Sequence, residues 1–217
     1  MTEPSGNHNS LRQLYCTLMR EIKLRTYTIT GTLEGNNPFP AFAAFEFCYL
    51  QFRMICETIA LACLAVHGDI PATRTSKFKT ANEADWILKR LGELHPEFFP
   101  VPITMKQVGH KLFSVSAPPP GSYLKKTELL KLYGKSGAFL HRGTFSNIRR
   151  PLSTDFDKVK ECAEKIVRLL AQHQIRLSDG QAFLVTLEST EHNGEVFAVL
   201  SHEVTRLKPG KSGHLAL

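Results

Sequence analysis

The stretch PAFAAFEFCYLQFRMICETIALACLAVH, residues 40–67, decides the fold of this chain. It is apolar on nearly every side, a pattern that predicts an α-helix enclosed by other helices. Its charged residues Glu46, Arg53 and Glu57 are seven and then four positions apart, which places all three on one stripe of that helix. Two interpretations stay open for this stripe: a structural ion-pair network that fixes the register of the helix, or the wall of an active or binding site.

Composition places the chain among soluble globular proteins. Its 217 residues are 42% hydrophobic and 22% charged, which suits one domain, or one domain with an appendage. The N-terminal residues contain no apolar segment, so no secretory signal is predicted. The longest charge-free run of the central stretch, residues 58–66, is far shorter than the roughly 20 apolar residues that cross a bilayer. We therefore predict a cytoplasmic protein without a membrane span.

The cysteines and histidines indicate neither disulfides nor a metal centre. The five cysteines form no CxxC pair and all fall in predicted apolar helices, as is typical of reduced core residues. The nine histidines are scattered, without a zinc-binding spacing. The sequence also lacks a glycine-rich phosphate loop and a nucleophile elbow. Neither a metal ion nor a cofactor is predicted.

Positive charge is concentrated in one segment. Residues 106–150 contain nine lysines and arginines against one acidic residue, Glu128, a net charge of +8, whereas the whole chain carries +7. Such a concentration is typical of phosphate binding, although a solvated basic face gives the same pattern. The basic residues of this segment are Lys106, Lys111, Lys125, Lys126, Lys131, Lys135, Arg142, Arg149 and Arg150.

Hydrophobic periodicity predicts a mainly α fold: a helical bundle around the long central helix, with a C-terminal β-hairpin. The predicted organisation is a disordered tail over residues 1–9, a bundle over 10–175, a hairpin appendage over 176–207 and a disordered tail over 208–217. Residues 28–40, rich in glycine, asparagine and proline, are predicted to form a loop. The hairpin follows from alternating segments on either side of EHNG, residues 191–194.

A later helix, predicted over residues 127–141, carries Gly134, Gly137 and His141 on one face. Two glycines within a helix cost about 1 kcal/mol each relative to alanine, so their presence indicates that another helix approaches closely there. His141 stands at the end of that contact and is the main candidate for chemistry. A histidine that caps the last carbonyl groups of the helix is the alternative.

Arg53 and Glu57, followed by the run LYGKSGAFLHRG at residues 132–143, resemble the HEPN class of helical domains. The similarity is to small prokaryotic members with a Tyr-x-x-Ser-x-x-x-x-His run on a late helix, and it covers about residues 10–172. It implies a helical bundle that often acts as a dimer, in a ribonuclease of a toxin–antitoxin or antiphage system or in a non-catalytic RNA-binding or scaffold module. Catalytic members carry an arginine, then four to six residues, then the histidine, whereas here Lys135 stands six residues before His141.

The resemblance implies metal-independent RNA cleavage, in which a histidine accepts the proton of a ribose 2′-hydroxyl and a cation stabilises the charge that develops on the phosphate. His141 is then the general acid or base. Lys135, Arg142 or Arg53 is the electrostatic group, and Glu57 orients the imidazole or pairs with Arg53. An intrahelical pair of Arg53 with Glu57, outside any site, is the alternative.

RNA is the partner that this hypothesis predicts, bound through basic side chains around the later helix. The predicted contact residues are Lys125, Lys126, Lys131, Arg149 and Arg150. A non-catalytic alternative binds RNA or a partner protein such as an antitoxin, and Lys135 in place of an arginine favours it. A third hypothesis is an assembly subunit whose hairpin edge pairs with another chain. A homo-oligomer is predicted as well.

Overall fold

The computed structural model of the protein describes residues 5–109, 112–140, 154–201 and 212–216. Within them the fold is mainly α, as predicted, and two antiparallel sheets accompany the helices. The helices are α1 (Ser5–Leu33), α2 (Ala41–Val66), α3 (Ser76–Lys79), α4 (Ala84–Leu94), α5 (Lys126–Leu140) and α6 (Phe156–Leu170).

The strands form a four-stranded and a three-stranded sheet. They are β1 (Val101–Pro102), β2 (Thr104–Gly109), β3 (Leu112–Ser116), β4 (Gln172–Arg176), β5 (Ala182–Ser189), β6 (Glu195–Ser201) and β7 (Ser212–Ala216). The larger sheet has the order β1-β4-β5-β6 and the smaller one the order β2-β3-β7, with every neighbouring pair antiparallel. Ile103, Val115 and Leu184 form a small apolar cluster where the two sheets meet.

α2 is the helix that the central stretch predicts, and α1, α4 and α5 all pack against it. Pro40 precedes its first residue and His67 follows its last one. The prediction that it is enclosed on nearly every side is too strong, because one stripe faces solvent, with Phe42 51% and Leu50 40% exposed. The reason is that α1, α4 and α5 pack on the other sides of α2 and leave its outer face uncovered.

By length and composition alone, α2 could cross a membrane. Its most apolar 18-residue window is, however, 61% buried inside the protein. Its buried side chains include Phe52, Ile55 and Ile59, which belong to the main apolar core. This packing is that of the core helix of a soluble protein.

α1 is longer at both ends than the sequence predicts. It begins at Ser5, inside the predicted tail over residues 1–9, and continues to Leu33, through the first part of the predicted loop over residues 28–40. Threonine side chains in its last turns donate to carbonyl oxygens four residues earlier, as Thr28 and Thr32 do, and Ile29 is fully buried. Packing thus offsets the low helix propensity of threonine.

The predicted hairpin strands correspond to β5 and β6, joined by a turn in which Asn193 and Gly194 have positive φ angles of 53° and 77°. They are not an appendage, because β4 and β1 continue the same sheet and α1 packs on β5 and β6. The predicted boundary between residues 175 and 176 falls inside β4. One apolar core includes residues of α1, α2, α4, α5 and α6 together with β4, β5 and β6.

The smaller sheet also departs from the prediction. Residues 212–216, within the predicted disordered tail over 208–217, form β7 and pair with β3. A glycine- and lysine-rich composition favours disorder, but the open edge of β3 supplies backbone hydrogen-bond partners that composition does not report. Strand pairing with a segment about a hundred residues away has no local signal in the sequence.

A neutral hydrogen-bond chain ties α1 to β4. The Tyr15 hydroxyl lies 2.8 Å from Nε2 of His173, whose Nδ1 lies 2.9 Å from the carbonyl oxygen of Leu170. Because a carbonyl only accepts, Nδ1 carries the ring proton and Nε2 accepts from the Tyr15 hydroxyl. Both side chains are fully buried. Burial lowers the pKa of His173 to about 4 and raises the pKa of Tyr15 well above its usual value, so both groups are uncharged near neutral pH.

All five cysteines are free thiols, in agreement with their predicted role as reduced core residues. Cys16, Cys48, Cys56 and Cys63 are buried in α1 and α2, and Cys162 on α6 is half-buried. Burial raises the pKa of each thiol, for Cys48 to about 11. The thiols are therefore protonated at neutral pH, which is the unreactive form.

Candidate functional site

The structure brings together part of the predicted site. His141, Arg142, Arg149 and Arg150 lie outside the described residues. The other six predicted residues lie on α2, at the start of α5 and along it. They are Arg53, Glu57, Lys125, Lys126, Lys131 and Lys135. Within the described residues, the predicted site is thus the contact between α2 and α5.

Arg53 connects the two helices. Its Nε lies 3.1 Å from Oε1 of Glu57, one turn further along α2. Its Nη2 donates a 3.0 Å hydrogen bond to the Tyr133 hydroxyl on α5, and its guanidinium carbon lies 4.6 Å from the centre of the Tyr133 ring. The intrahelical ion pair is therefore present, and Tyr133 extends it to a second helix. Glu46, the third charge of the predicted stripe, is exposed.

Gly137 makes room for the Arg53 side chain. A Cβ atom built on Gly137 would lie 2.7 Å from Nη1 of Arg53, closer than such atoms approach in proteins. Gly134, by contrast, has no atom within 4 Å of its Cβ position. The close approach predicted for the two glycines thus occurs at Gly137 alone, and the group that approaches is a guanidinium rather than a helix backbone.

Charge within this cluster is balanced. The Arg53 and Glu57 side chains form an ion pair and are 31% and 22% exposed, so both stay in contact with water. Burial raises the pKa of Tyr133, an effect that Arg53 opposes and Glu57 adds to. Tyr133 is therefore a neutral hydroxyl whose oxygen accepts from Arg53. Because its charge is paired in this way, Arg53 links the two helices and is less available to bind an anionic ligand.

The lysines of α5 present a different surface. Lys131 and Lys135 are exposed and four residues apart, which places them on the same side of α5. The Nζ atom of Lys135 lies 5.3 Å from the centre of the Tyr49 ring on α2. Lys126 is half-buried, with its Nζ atom 5.3 Å from the Phe98 ring centre. Lys125 is exposed and immediately precedes the helix.

Glu128, the one acidic residue of the basic segment, is already engaged. Its carboxylate accepts a 2.9 Å hydrogen bond from the backbone N–H of Lys125, which closes the first turn of α5. It also lies 3.5 Å from Nζ of Lys165 on α6. Glu128 therefore does not neutralise the exposed lysines further along α5.

The described part of the predicted site is an open surface. A groove of about 560 Å³ lies between α1 and α6, and none of the six predicted site residues that the structure describes lines it. Within the part of the chain that the structure describes, no three His, Cys, Asp or Glu side chains converge to hold a metal ion. Small-molecule sites are typically enclosed pockets, so the exposed lysines of α5 fit a polyanionic polymer better than a small substrate.

Two buried histidines carry polar contacts that the sequence analysis does not single out. His173 belongs to the chain with Tyr15 and Leu170 described above. His67 lies between the carbonyl oxygens of Cys63, 2.6 Å from Nδ1, and Arg176, 2.9 Å from Nε2. A neutral imidazole donates to only one of them, and burial lowers the pKa of His67. No local motif surrounds either histidine, so the sequence holds no signal that would have found them.

The chain was compared with protein-family models, with curated proteins and with solved structures, and none of the three comparisons gives a match. No relative therefore assigns a family or an activity to the contact between α2 and α5. The chemistry of its side chains is what indicates a function.

Proposed function

We propose that this protein is a cytoplasmic RNA-binding protein of HEPN-like architecture, a helical bundle around α2 in which β5 and β6 form a C-terminal hairpin. The RNA backbone binds along the side of α5 that carries Lys131 and Lys135, with Lys125 at the start of the helix. The observation that carries the proposal is the exposure of these lysines in a segment of net charge +8.

Lys131 and Lys135 support RNA binding because their two like charges do not stabilise α5 itself. Like charges four residues apart destabilise a helix by about 0.2–0.5 kcal/mol. Glu128, which could offset them, is held by Lys125 and Lys165 instead. A ligand of opposite charge makes this arrangement favourable, and phosphate groups release counterions when lysines bind them.

Binding is supported better than cleavage by the state of Arg53. Its guanidinium is paired with Glu57 and Tyr133, and a cation that stabilises a transition state has to be directed at the phosphate. Lys135, which replaces the arginine of catalytic members, lacks the bidentate geometry of a guanidinium.

The test is fluorescence anisotropy of a labelled single-stranded RNA at several salt concentrations. The double variant Lys131→Gln/Lys135→Gln removes two phosphate contacts, so the slope of log K against log salt is expected to fall by about 1.4. The control variant Lys89→Gln/Lys160→Gln changes the net charge equally at exposed lysines of α4 and α6. Equal weakening by both double variants would show that only net charge matters and would refute the α5 site.

A metal-independent ribonuclease in a defence or toxin–antitoxin setting is the second candidate. Gly137, four residues before His141 in the sequence, lies against Arg53 of α2, so one glycine of α5 contacts a cation. The native protein and the variant His141→Ala are incubated with total RNA in the presence of EDTA. Cleavage by the native protein that the variant lacks would support His141 as the acid or base, and equal cleavage by both would reject it. An antitoxin-like partner protein belongs to this candidate and would reduce that cleavage.

A further inference from the structure

A hollow of about 350 Å³ lies beside the start of α4. Its volume is within the range of sites that hold small organic molecules. The single tryptophan of the chain, Trp86, forms part of its wall. The hollow, here called the Trp86 pocket, is lined by Lys77, Thr80, Ala81, Asn82, Glu83 and Trp86. An aromatic ring, a cation and an anion therefore share one small surface.

The Trp86 ring is held in place from the side of the core. Phe78, which is 6% exposed, packs against it with the two ring centres 4.8 Å apart. Trp86 is half-buried and lies against the main apolar core. The backbone N–H and the hydroxyl of Thr80 both donate 3.0 Å hydrogen bonds to the carbonyl oxygen of Ser76, which ties the loop before α4 to α3. A ring fixed in this way loses little conformational freedom when a planar ligand stacks on it.

Lys77 lies over the Trp86 ring. Its Nζ atom is 5.1 Å from the ring centre, and its side chain is exposed. Such a cation–π contact at the surface is weaker than the stacking of a nucleobase on an aromatic ring. A base can therefore displace the flexible lysine from the ring, and the ammonium group then stands beside the base as a hydrogen-bond donor. The same positive charge disfavours a cationic ligand.

Two polar side chains of the pocket are available to a ligand. Glu83 immediately precedes α4 and is exposed, and its carboxylate does not cap the first turn of the helix. Asn82 is exposed as well, and neither side chain has a hydrogen bond or an ion pair among the described residues. Glu83 and Trp86 are three residues apart, so their side chains are neighbours on one side of the helix. The carboxylate can thus accept from a ligand that stacks on the ring.

We propose that the Trp86 pocket binds a guanine base. A carboxylate only accepts hydrogen bonds, and guanine presents two adjacent donors, N1–H and N2–H, on its Watson–Crick edge. Glu83 accepts from both while the base stacks on Trp86. The O6 atom of guanine accepts from Lys77 or Asn82. Adenine and cytosine present one amino group beside a ring nitrogen that accepts, and uracil presents one N–H between two carbonyl groups, so none of them offers a carboxylate two donors.

This site goes beyond the proposed function, in which the lysines of α5 bind the phosphate backbone and read no sequence. A guanine of an unpaired RNA strand and a guanine of a free nucleotide present the same edge and the same ring face. In an RNA strand, the pocket adds selection of one base to the backbone contacts. No predicted site residue that the structure describes lines the pocket.

The fluorescence of Trp86 measures binding directly, because the chain contains no other tryptophan. GMP is titrated into the native protein, with AMP, CMP and UMP as controls and with N-acetyltryptophanamide to correct for light absorbed by the nucleotides. Saturable quenching by GMP is expected, with a Kd about tenfold or more below those of the other three nucleotides. Absence of quenching by GMP, or equal quenching by all four nucleotides, would overturn the proposal.

The variant Glu83→Gln tests recognition of the base and leaves the stacking ring in place. It replaces one acceptor oxygen by an amino group that opposes the donors of guanine, so the Kd of GMP is expected to rise about tenfold, without a rise for AMP. Glu93→Gln is the matched control, since Glu93 is exposed near the end of α4 and does not line the pocket. It is expected to leave both constants unchanged. An unchanged Kd of GMP for Glu83→Gln would also overturn the proposal.

Two unlabelled RNA oligonucleotides distinguish the two sources of the base. A uridine tract with one central guanosine is compared with the plain uridine tract and with GMP. Tighter quenching by the guanosine-containing strand than by GMP would assign the pocket to RNA, and tighter quenching by GMP would assign it to free nucleotides; both results support guanine recognition. The variant Lys131→Gln/Lys135→Gln is expected to bind GMP like the native protein, so the pocket and the α5 site can fail separately.

Discussion

Two polar clusters of this protein pair a tyrosine hydroxyl with a basic side chain, yet only one of them is charged. Tyr15 and His173 are fully buried, and their hydrogen bonds use the neutral forms. Arg53, Glu57 and Tyr133 lie at the edge of the core, where the Arg53 side chain is 31% exposed. Access to water thus decides whether ionisation is tolerated. The buried cluster is expected to contribute more stability and more pH dependence than the charged one.

The largest expected effect is that of His173→Ala. The change removes a fully buried ring and leaves the Tyr15 hydroxyl and the Leu170 carbonyl without their partner. The cavity and the two unpaired groups together are expected to lower the free energy of unfolding by about 4 kcal/mol. Urea unfolding at pH 7 measures it. A loss below about 1 kcal/mol would contradict the structural role of this ring.

The next effect is the pH dependence that His173 confers. In the unfolded chain its imidazole binds a proton near pH 6.5, whereas in the folded protein its pKa is about 4. As the pH falls from about 6.5 to 4, the unfolded state gains a proton that the folded state does not. The free energy of unfolding is expected to drop by about 3 kcal/mol over that range.

The variant His173→Gln isolates this contribution from those of other groups, among them His67. Its free energy of unfolding is expected to vary less between pH 7 and pH 4 than that of the native protein, by about the same 3 kcal/mol. Parallel pH profiles for the two proteins would show that His173 is protonated in the folded state.

The tyrosine hydroxyl can be removed from each cluster, so that its contribution to stability is compared directly between the two. Tyr15→Phe leaves the buried Nε2 of His173 without a donor and is expected to cost about 2 kcal/mol. Tyr133→Phe removes an acceptor from Arg53, whose guanidinium can bond to water instead, and is expected to cost less than about 1 kcal/mol. Chemical unfolding of both variants measures the difference. Equal costs would show that exposure does not separate the two clusters.

The smallest expected effect concerns the two glycines of α5. Gly134→Ala places a methyl group in open space and is expected to stabilise the helix by about 1 kcal/mol. Gly137→Ala gains the same propensity but displaces Nη1 of Arg53, so its net effect is expected to be near zero. Thermal unfolding compares the variants. If Gly137→Ala also stabilised the protein by about 1 kcal/mol, the Arg53 contacts would contribute little to stability.

The sequence predicts best those elements whose signal is local. Residues 40–67 correspond to α2, which spans Ala41–Val66, because an apolar run that ends at Gly68 contains its own boundaries. The end of α1 was not predictable, because its threonines favour other conformations until Ile29 packs in the core. β1 and β7 depend on distant partners, β4 and β3, that no short window contains.

The candidate site was predictable only in part for the same reason. The Arg53–Glu57 pair follows from a spacing of four residues on one helix. The contact of Arg53 with Tyr133 spans 80 residues and that of Tyr15 with His173 spans 158, so both depend on the packing of separate elements. Gly137 indicated a close approach, although the sequence does not specify which group fills the space.

The five free thiols of this protein can report local opening of its structure through their rates of alkylation. Alkylation requires a thiolate in contact with the reagent, and burial opposes both conditions at Cys16, Cys48, Cys56 and Cys63. Each labelling rate therefore measures how often its surroundings open. Mass spectrometry of timed samples would measure these rates separately. Cys16 reports on α1, Cys48 and Cys63 report on the two ends of α2, and Cys162 reports on α6, so no cysteine has to be introduced.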